Sequence, residues 1–210
     1  MQNFKDEGFL FETTSSQPWS AFNTHFAPFS SKLTLNTDVP FTAAGLYRTA
    51  CHEGYGGHHS ELSLKDKLLV DEGRGEHGLV ITFSPQTFIS EAIAEGMYVL
   101  LGILDKSNPE MMLAWYYDRM IFALQNLATF LFFDDGLNKE DVLSRIKAFG
   151  ITEKTAGYIV DFSTDPLFGK YAPVYYSAFN FISGLYEKSN DKKRLIKTLF
   201  TQPCNPTAII

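Results

Sequence analysis

The chain has 210 residues, 45% of them hydrophobic, which is enough for one domain with a core of its own. Its net charge of -6 excludes the basic surface that binding to nucleic acid or to an anionic membrane requires. Two cysteines, Cys51 and Cys204, are too few for a disulfide framework, and residues 1–7 lack the apolar run of a signal peptide. We therefore expect a cytoplasmic protein with no membrane or nucleic-acid partner.

Residues 1–40 carry the signs of extended structure. Residues 8–14 are rich in strand-forming side chains, and residues 31–37 alternate polar with apolar side chains, the period of a half-buried strand. Pro18 and Pro28 lie between the two segments and indicate a loop. The two strands are predicted to form a hairpin-like edge of the domain near its functional site.

The first helix is predicted to begin at residues 38–40, with Thr37 or Asp38 as its cap and Pro40 in its first turn. It continues through His52 and Glu53. Three glycines at positions 54, 56 and 57 lower helix propensity sharply, so we expect a break there. A short charged helix over residues 60–71 follows.

Helical periodicity dominates the rest of the chain. One apolar window, residues 111–133, reaches membrane-spanning length but contains Asp118 and Arg119, which favours a buried helix. The fold class predicted is mainly α with a small β element, with residues 1–40 strand-rich and residues 41–210 helical in a single domain. Helices are predicted over residues 85–100, 109–133, 142–149, 152–162, 174–188 and 191–200.

A cluster of histidines follows the first helix and points to metal chemistry. His52, Glu53, His58 and His59 combine imidazole with carboxylate, the ligand types that Zn²⁺ prefers. The spacing differs from the zinc-protease pattern His-Glu-x-x-His, because the second histidine comes six or seven positions after the first. Glycine can fold the backbone so that His58 turns toward His52. We favour His58 as the second ligand, with His59 as its rival.

Two glutamates on the helix over residues 85–100 are candidates to complete the site. Glu91 and Glu95 are four residues apart and therefore share one helical face. Glu91 can act as the third ligand, and Glu95 can accept a hydrogen bond from the ring of a liganding histidine. On spacing alone, a solvated stripe or salt bridges to Arg48, Lys65 or Lys67 is the favoured interpretation of these two glutamates.

The motif and its surroundings resemble a known family. Residues 52–59, the triplet Ser90-Glu91-Ala92 and residues 36–40 are similar to the DUF885 proteins, gluzincin-like zinc peptidases with the motif His-Glu-x-x-Pro-Gly-His-His followed by Ser-Glu-Gly. Gly56 and Ala92 depart from that pattern but keep every candidate ligand. The resemblance implies a zincin-like helical metallopeptidase domain and selects Glu91 as ligand. Members of this family are longer, so the chain would correspond to their C-terminal catalytic half.

These observations predict a zinc-dependent hydrolase of peptide or peptide-like amide bonds. His52, His58 and Glu91 would hold the metal, Glu53 would activate water, and Glu95 would orient a histidine. The strand over residues 31–37 would pair with an extended substrate.

Two further interpretations accompany this prediction. Tyr175 is a candidate to stabilise the oxyanion, although packing in an aromatic core explains it equally well. The alternative to an enzyme is a truncated, non-catalytic metal-binding or structural remnant, whose high aromatic content would cover a face for a partner. That partner would be a second copy of the chain or a separately encoded N-terminal half.

Overall fold

A computed structural model describes residues 7–39 and 41–207 of the chain. Eight α-helices and three β-strands account for most of these residues, which confirms a mainly α fold with a small β element. The described residues divide into two compact units. The first contains those up to Lys106 together with those from Ala178 onward, and the second is Ser107–Ser177.

The strands form one sheet in the first unit. They are β1 (Gly8–Thr14), β2 (Ala21–Ala27) and β3 (Ser30–Asn36), in the spatial order β1-β3-β2. β1 pairs with β3 in parallel, whereas β2 pairs with β3 antiparallel. The predicted hairpin of the first and last strands is therefore wrong. The segment predicted as a loop contains β2, and this additional reversal of the chain makes β3 run in the same direction as β1.

The position of β3 also contradicts one functional prediction. β3 is the central strand, and its backbone is paired on one side with β1 and on the other with β2. An extended peptide adds to an exposed sheet edge, where N–H and C=O groups have no ladder partner. Residues 30–36 therefore cannot pair with a substrate in the way that the sequence suggested.

Helix α1 spans Ala43–Glu53 and begins later than predicted. Its cap is Thr42, whose side chain accepts a hydrogen bond from the N–H of Gly45. The two predicted caps instead form hydrogen bonds at the C-terminal ends of β1 and β3. The carboxylate of Asp38 accepts a hydrogen bond from the N–H of Ser16 at 2.6 Å, and the hydroxyl of Thr37 donates to a carbonyl of β1. Pro40 lies outside the described residues.

The predicted break at the glycines is confirmed. α1 ends at Glu53, and α2 (His58–Lys65) starts after the glycine segment. α2 continues into one π-helical turn, Asp66–Val70, so the charged helix predicted from the sequence begins two residues earlier and ends in a different helical form. A short 3₁₀ helix, Gly75–Gly78, follows.

The remaining helices agree closely with prediction because their caps are readable in the sequence. Side chains at the residues preceding five of these six helices accept hydrogen bonds from first-turn N–H groups, as expected of N-caps. None of the helices in the described part of the chain is long and apolar enough to cross a membrane. The six are α3 (Pro85–Leu100), α4 (Pro109–Phe133), α5 (Lys139–Lys147), α6 (Glu153–Ser163), α7 (Pro173–Lys188) and α8 (Lys192–Thr201).

Each unit has its own hydrophobic core. In the first unit, Ile89, Ile93 and Met97 of α3 are fully buried against apolar side chains of α7 and α8. This packing fixes α3, whose other buried side chains include Glu91 and Glu95, the two candidate site residues of this helix. The core of the second unit is formed by buried side chains of α4, α5 and α6.

The cap of α5 offers a test of the second unit. Asn138 accepts a hydrogen bond from the N–H of Asp141 at 2.9 Å. Replacing Asn138 with Ala should lower the free energy of unfolding, measured with urea, by about 1 kcal/mol because this N–H loses its acceptor. Asn138→Ser keeps an acceptor oxygen without placing a second carboxylate beside Asp141 and should retain most of the stability. Equal losses in both variants would contradict the capping role.

Candidate metal centre

Three side chains predicted as ligands come together in the first unit. His52 at the end of α1, His58 at the start of α2 and Glu91 on α3 each offer one ligand atom, and these atoms lie within 4.8 Å of one another. Nε2 of His52 is 3.5 Å from Oε2 of Glu91, and Nε2 of His58 is 3.7 Å from Oε1. The two imidazole rings are nearly perpendicular, with centroids 4.8 Å apart. This group could hold a metal ion.

The glycine segment makes the unusual spacing of the two histidines possible. Gly54 donates its N–H to the carbonyl of Ala50 and ends α1, and Gly57 donates to the carbonyl of Gly54. At Gly57 the chain lies so close to α1 that an added Cβ would be 1.8 Å from the carbonyl oxygen of His52. A side chain at position 57 therefore cannot be accommodated without moving backbone, and only the tight return brings His58 beside His52.

In this triad of His52, His58 and Glu91, the first and last residues are buried and His58 is half-buried, and the charges of the three side chains stabilise each other. Burial opposes the charged form of His58, but the carboxylates of Glu91, Glu53 and Glu61 outweigh it and raise the pKa of His58 to about 9. Burial likewise opposes the ionised form of Glu91, yet the neighbouring histidines lower the pKa of its carboxyl. The site thus favours positive charge, and a metal ion binding here would displace a proton from His58.

A carboxylate lies behind His52. Nδ1 of His52 is 3.1 Å from Oε1 of Glu95, and Glu95 is almost completely buried. The same oxygen accepts a hydrogen bond from Arg48 at 3.1 Å. Glu95 therefore lies next to the ring of a candidate ligand and also forms an ion pair with Arg48. Such an outer carboxylate can orient a liganding ring and raise its basicity.

Glu53 lies beside the triad without belonging to it. Its Oε1 is 3.9 Å from Nε2 of His52, while its buried Oε2 has no hydrogen-bond partner among the described residues. Burial is the main cause that raises the pKa of the Glu53 carboxyl, against the opposing charges of His52 and His58. A buried acceptor without a partner in the protein is where a water molecule or a substrate group would be expected.

His58 is supported by residues that the sequence analysis did not assign to the site. Nδ1 of His58 is 3.1 Å from Oγ of Ser90, and the Ser90 hydroxyl donates to Oε2 of Glu61. Lys65 donates to the other oxygen of Glu61. Glu61 and Lys65 are almost completely buried. Their i,i+4 spacing was visible in the sequence, but such pairs are usually exposed, so the signal did not indicate a buried pair.

His59, the rival of His58, faces the sheet. Its Nδ1 is 2.7 Å from Oγ of Ser31 in β3, and its Nε2 is 3.0 Å from Oε1 of Glu7. Both ring nitrogens therefore have partners outside the triad. A second contact from the sheet reaches the motif, because the side-chain amide of Asn23 donates to the carbonyl of Glu53 at 2.8 Å. The structure places His58 with the triad and uses His59 to attach the motif to the sheet.

Two further residues that the sequence analysis considered, Tyr175 and Cys51, do not belong to the triad. Tyr175 belongs to the second unit, where its ring is stacked on Phe122 with centroids 5.5 Å apart and meets Tyr171 edge-on. Its proposed role as an oxyanion donor stays a prediction. Cys51 is buried, and burial raises the pKa of its thiol to about 11, as expected for a small packing residue.

Known proteins give no further guide to this site. Comparisons with models of protein families, with curated proteins and with solved structures found no match to this chain. The resemblance to the DUF885 proteins is therefore neither supported nor contradicted.

Proposed function

We propose that the protein is a zinc-dependent hydrolase of peptide or peptide-like amide bonds, with His52, His58 and Glu91 as the zinc ligands. The observation that carries the proposal is the convergence of two imidazole nitrogens and one carboxylate oxygen within 4.8 Å. Two histidines and a glutamate are a ligand set of catalytic zinc sites, which keep a fourth position open.

Glu53 favours hydrolysis over the other chemistry that this ligand set supports. Two histidines and one carboxylate also bind Fe(II) in oxygenases. Those enzymes do not require a general base beside the metal, whereas hydrolysis does. Glu53 can act as this general base, because its buried Oε2 has no hydrogen-bond partner among the described residues.

The roles of the individual side chains follow from their positions. Bound zinc would lower the pKa of a nearby water molecule to about 7 and polarise a scissile carbonyl. Glu53 takes a proton from water at Oε2 and then donates it to the leaving amine. Glu95, held by Arg48, has its Oε1 3.1 Å from Nδ1 of His52 and would orient that ring.

Zinc content tests the ligand assignment. The wild-type protein, stripped with chelator and reloaded with zinc, should retain one ion per chain after gel filtration. His58→Ala and Glu91→Gln should each retain much less, because each removes one of three ligands.

His77→Ala is the matched control, since His77 is also buried but lies outside the triad. It should bind zinc like the wild type, and circular dichroism should show the same helix content in all four proteins. Unchanged zinc content in both ligand variants would contradict the assignment. Preferential retention of iron over zinc by the wild type would contradict the hydrolase proposal.

A further inference from the structure

The two candidate histidine ligands have a common feature on the side of each ring away from Glu91. Behind His52 lies the ion pair of Glu95 and Arg48, with Oε1 of Glu95 3.1 Å from Nδ1. Behind His58 lies the ion pair of Glu61 and Lys65, and here the hydroxyl of Ser90 stands between the carboxylate and Nδ1. Each ring is thus backed by a buried carboxylate and a cation.

The hydrogen bonds behind His58 allow one arrangement of protons. The Lys65 ammonium only donates, so Glu61 is its acceptor. The other oxygen of Glu61 accepts the single hydroxyl hydrogen of Ser90. Oγ of Ser90 must then act as the acceptor toward His58, whose Nδ1 carries the donated hydrogen. The proton that a metal ion displaces is therefore the one on Nε2, the atom that faces Glu91, and Nε2 then provides the lone pair for the ion.

The burial of the ion pair between Lys65 and Glu61 needs an explanation beyond stability. Lys65 and Glu61 are both almost completely removed from solvent. Burying two charges has a desolvation cost that their attraction offsets only with good additional hydrogen bonds, and apolar residues of similar size often stabilise a fold at least as well. A requirement for a fixed proton arrangement at the metal centre would account for the retention of charges here.

We propose that Lys65, Glu61 and Ser90 form a positioning chain that fixes the proton of His58 on Nδ1 and presents Nε2 to the metal ion. The inference rests on the proposed metal binding by His52, His58 and Glu91. Residues in such outer positions act through the ligand, and their loss typically lowers metal affinity by about 10- to 100-fold. Ser90 is the residue to change, because its removal breaks the chain while the ion pair stays intact.

Zinc affinity of Ser90→Ala is the first test. We expect affinity, measured by competition with a chromophoric chelator, to fall by about 10- to 100-fold. Ser63→Ala is the matched control, because Ser63 is a fully buried serine of α2 whose hydroxyl has no partner among the described residues. It should bind zinc with wild-type affinity. Equal affinity of all three proteins would overturn the positioning chain but leave the ligand assignment intact.

A nuclear magnetic resonance measurement on the zinc-loaded wild type does not depend on the folding of a variant. Long-range ¹H–¹⁵N spectra should show the His58 proton on Nδ1, slow to exchange with solvent. In Ser90→Ala that signal should exchange faster or disappear, which a purely structural role of Ser90 would not predict. A proton on Nε2 of His58 would overturn the inference. Absence of zinc binding by the wild type would overturn the proposed function, and this inference with it.

Discussion

Replacing Glu53 with Gln is expected to lower the rate of peptide hydrolysis by about 10²- to 10⁴-fold while zinc content stays at the wild-type level. Gln has nearly the same shape but cannot accept a proton at neutral pH. Because Glu53 lies beside the triad rather than within it, no ligand is lost. The combination of retained zinc and lost turnover would identify Glu53 as the general base.

The substrate is not known, so the assay needs a broad probe. A library of short peptides, each with a fluorophore at one end and a quencher at the other, reports cleavage at any position. Glu187→Gln makes the same chemical change at an exposed position of α7 and should cleave at the wild-type rate. Equal rates for Glu53→Gln and the wild type would exclude Glu53 as the base. Zinc binding without cleavage of any peptide would favour a non-catalytic metal-binding protein.

Features of the fold that depend on local sequence were predicted well. Ser84 followed by Pro85 marks the start of α3, and Thr152 marks the start of α6, because capping involves only neighbouring residues. The strand β2 was missed because residues 21–27 lack strict alternation, and the strand forms by pairing with β3. The start of α1 was wrong because Asp38 binds Ser16, a contact between residues 22 positions apart.

In the candidate site, too, local sequence predicts some features, whereas others depend on how the chain folds. The position of Glu53 beside His52 and the break after α1 could be predicted from a short stretch of sequence. Histidine and carboxylate side chains are preferred zinc ligands, and glycine disfavours helix. The choice between His58 and His59 could not, since Ser31 of the sheet decides it by bonding to His59. Glu61 was not predicted as a site residue because its burial depends on how α2 packs in the folded protein.

Gly57 is expected to be the position where a single methyl group damages the fold and the metal centre together. A Cβ at this residue would lie 1.8 Å from the carbonyl oxygen of His52, 2.7 Å from its carbonyl carbon and 3.1 Å from Cα of Ala94. All three are backbone atoms, so no side-chain rotation can relieve the contact. Either the end of α1 or α3 must move, and both carry members of the triad.

We therefore expect Gly57→Ala to lower the free energy of unfolding of the metal-free protein by about 3 kcal/mol, the upper part of the range for overpacked sites. Zinc affinity should fall as well, because His58 follows directly on Gly57. Urea titration with zinc-chelator competition measures both quantities.

Gly157→Ala in α6 is the control, since an added Cβ there meets no heavy atom within 4 Å. It should raise the free energy of unfolding by about 0.5–1 kcal/mol, because alanine favours the helix more than glycine does. A Gly57→Ala protein with wild-type stability and zinc affinity would mean that α1 and α3 can separate without disturbing the ligands. The glycine segment would then not be what brings His58 to His52. If instead stability and zinc affinity fall together, the tight return at Gly57 is the reason why a histidine spacing foreign to His-Glu-x-x-His can still form a metal site.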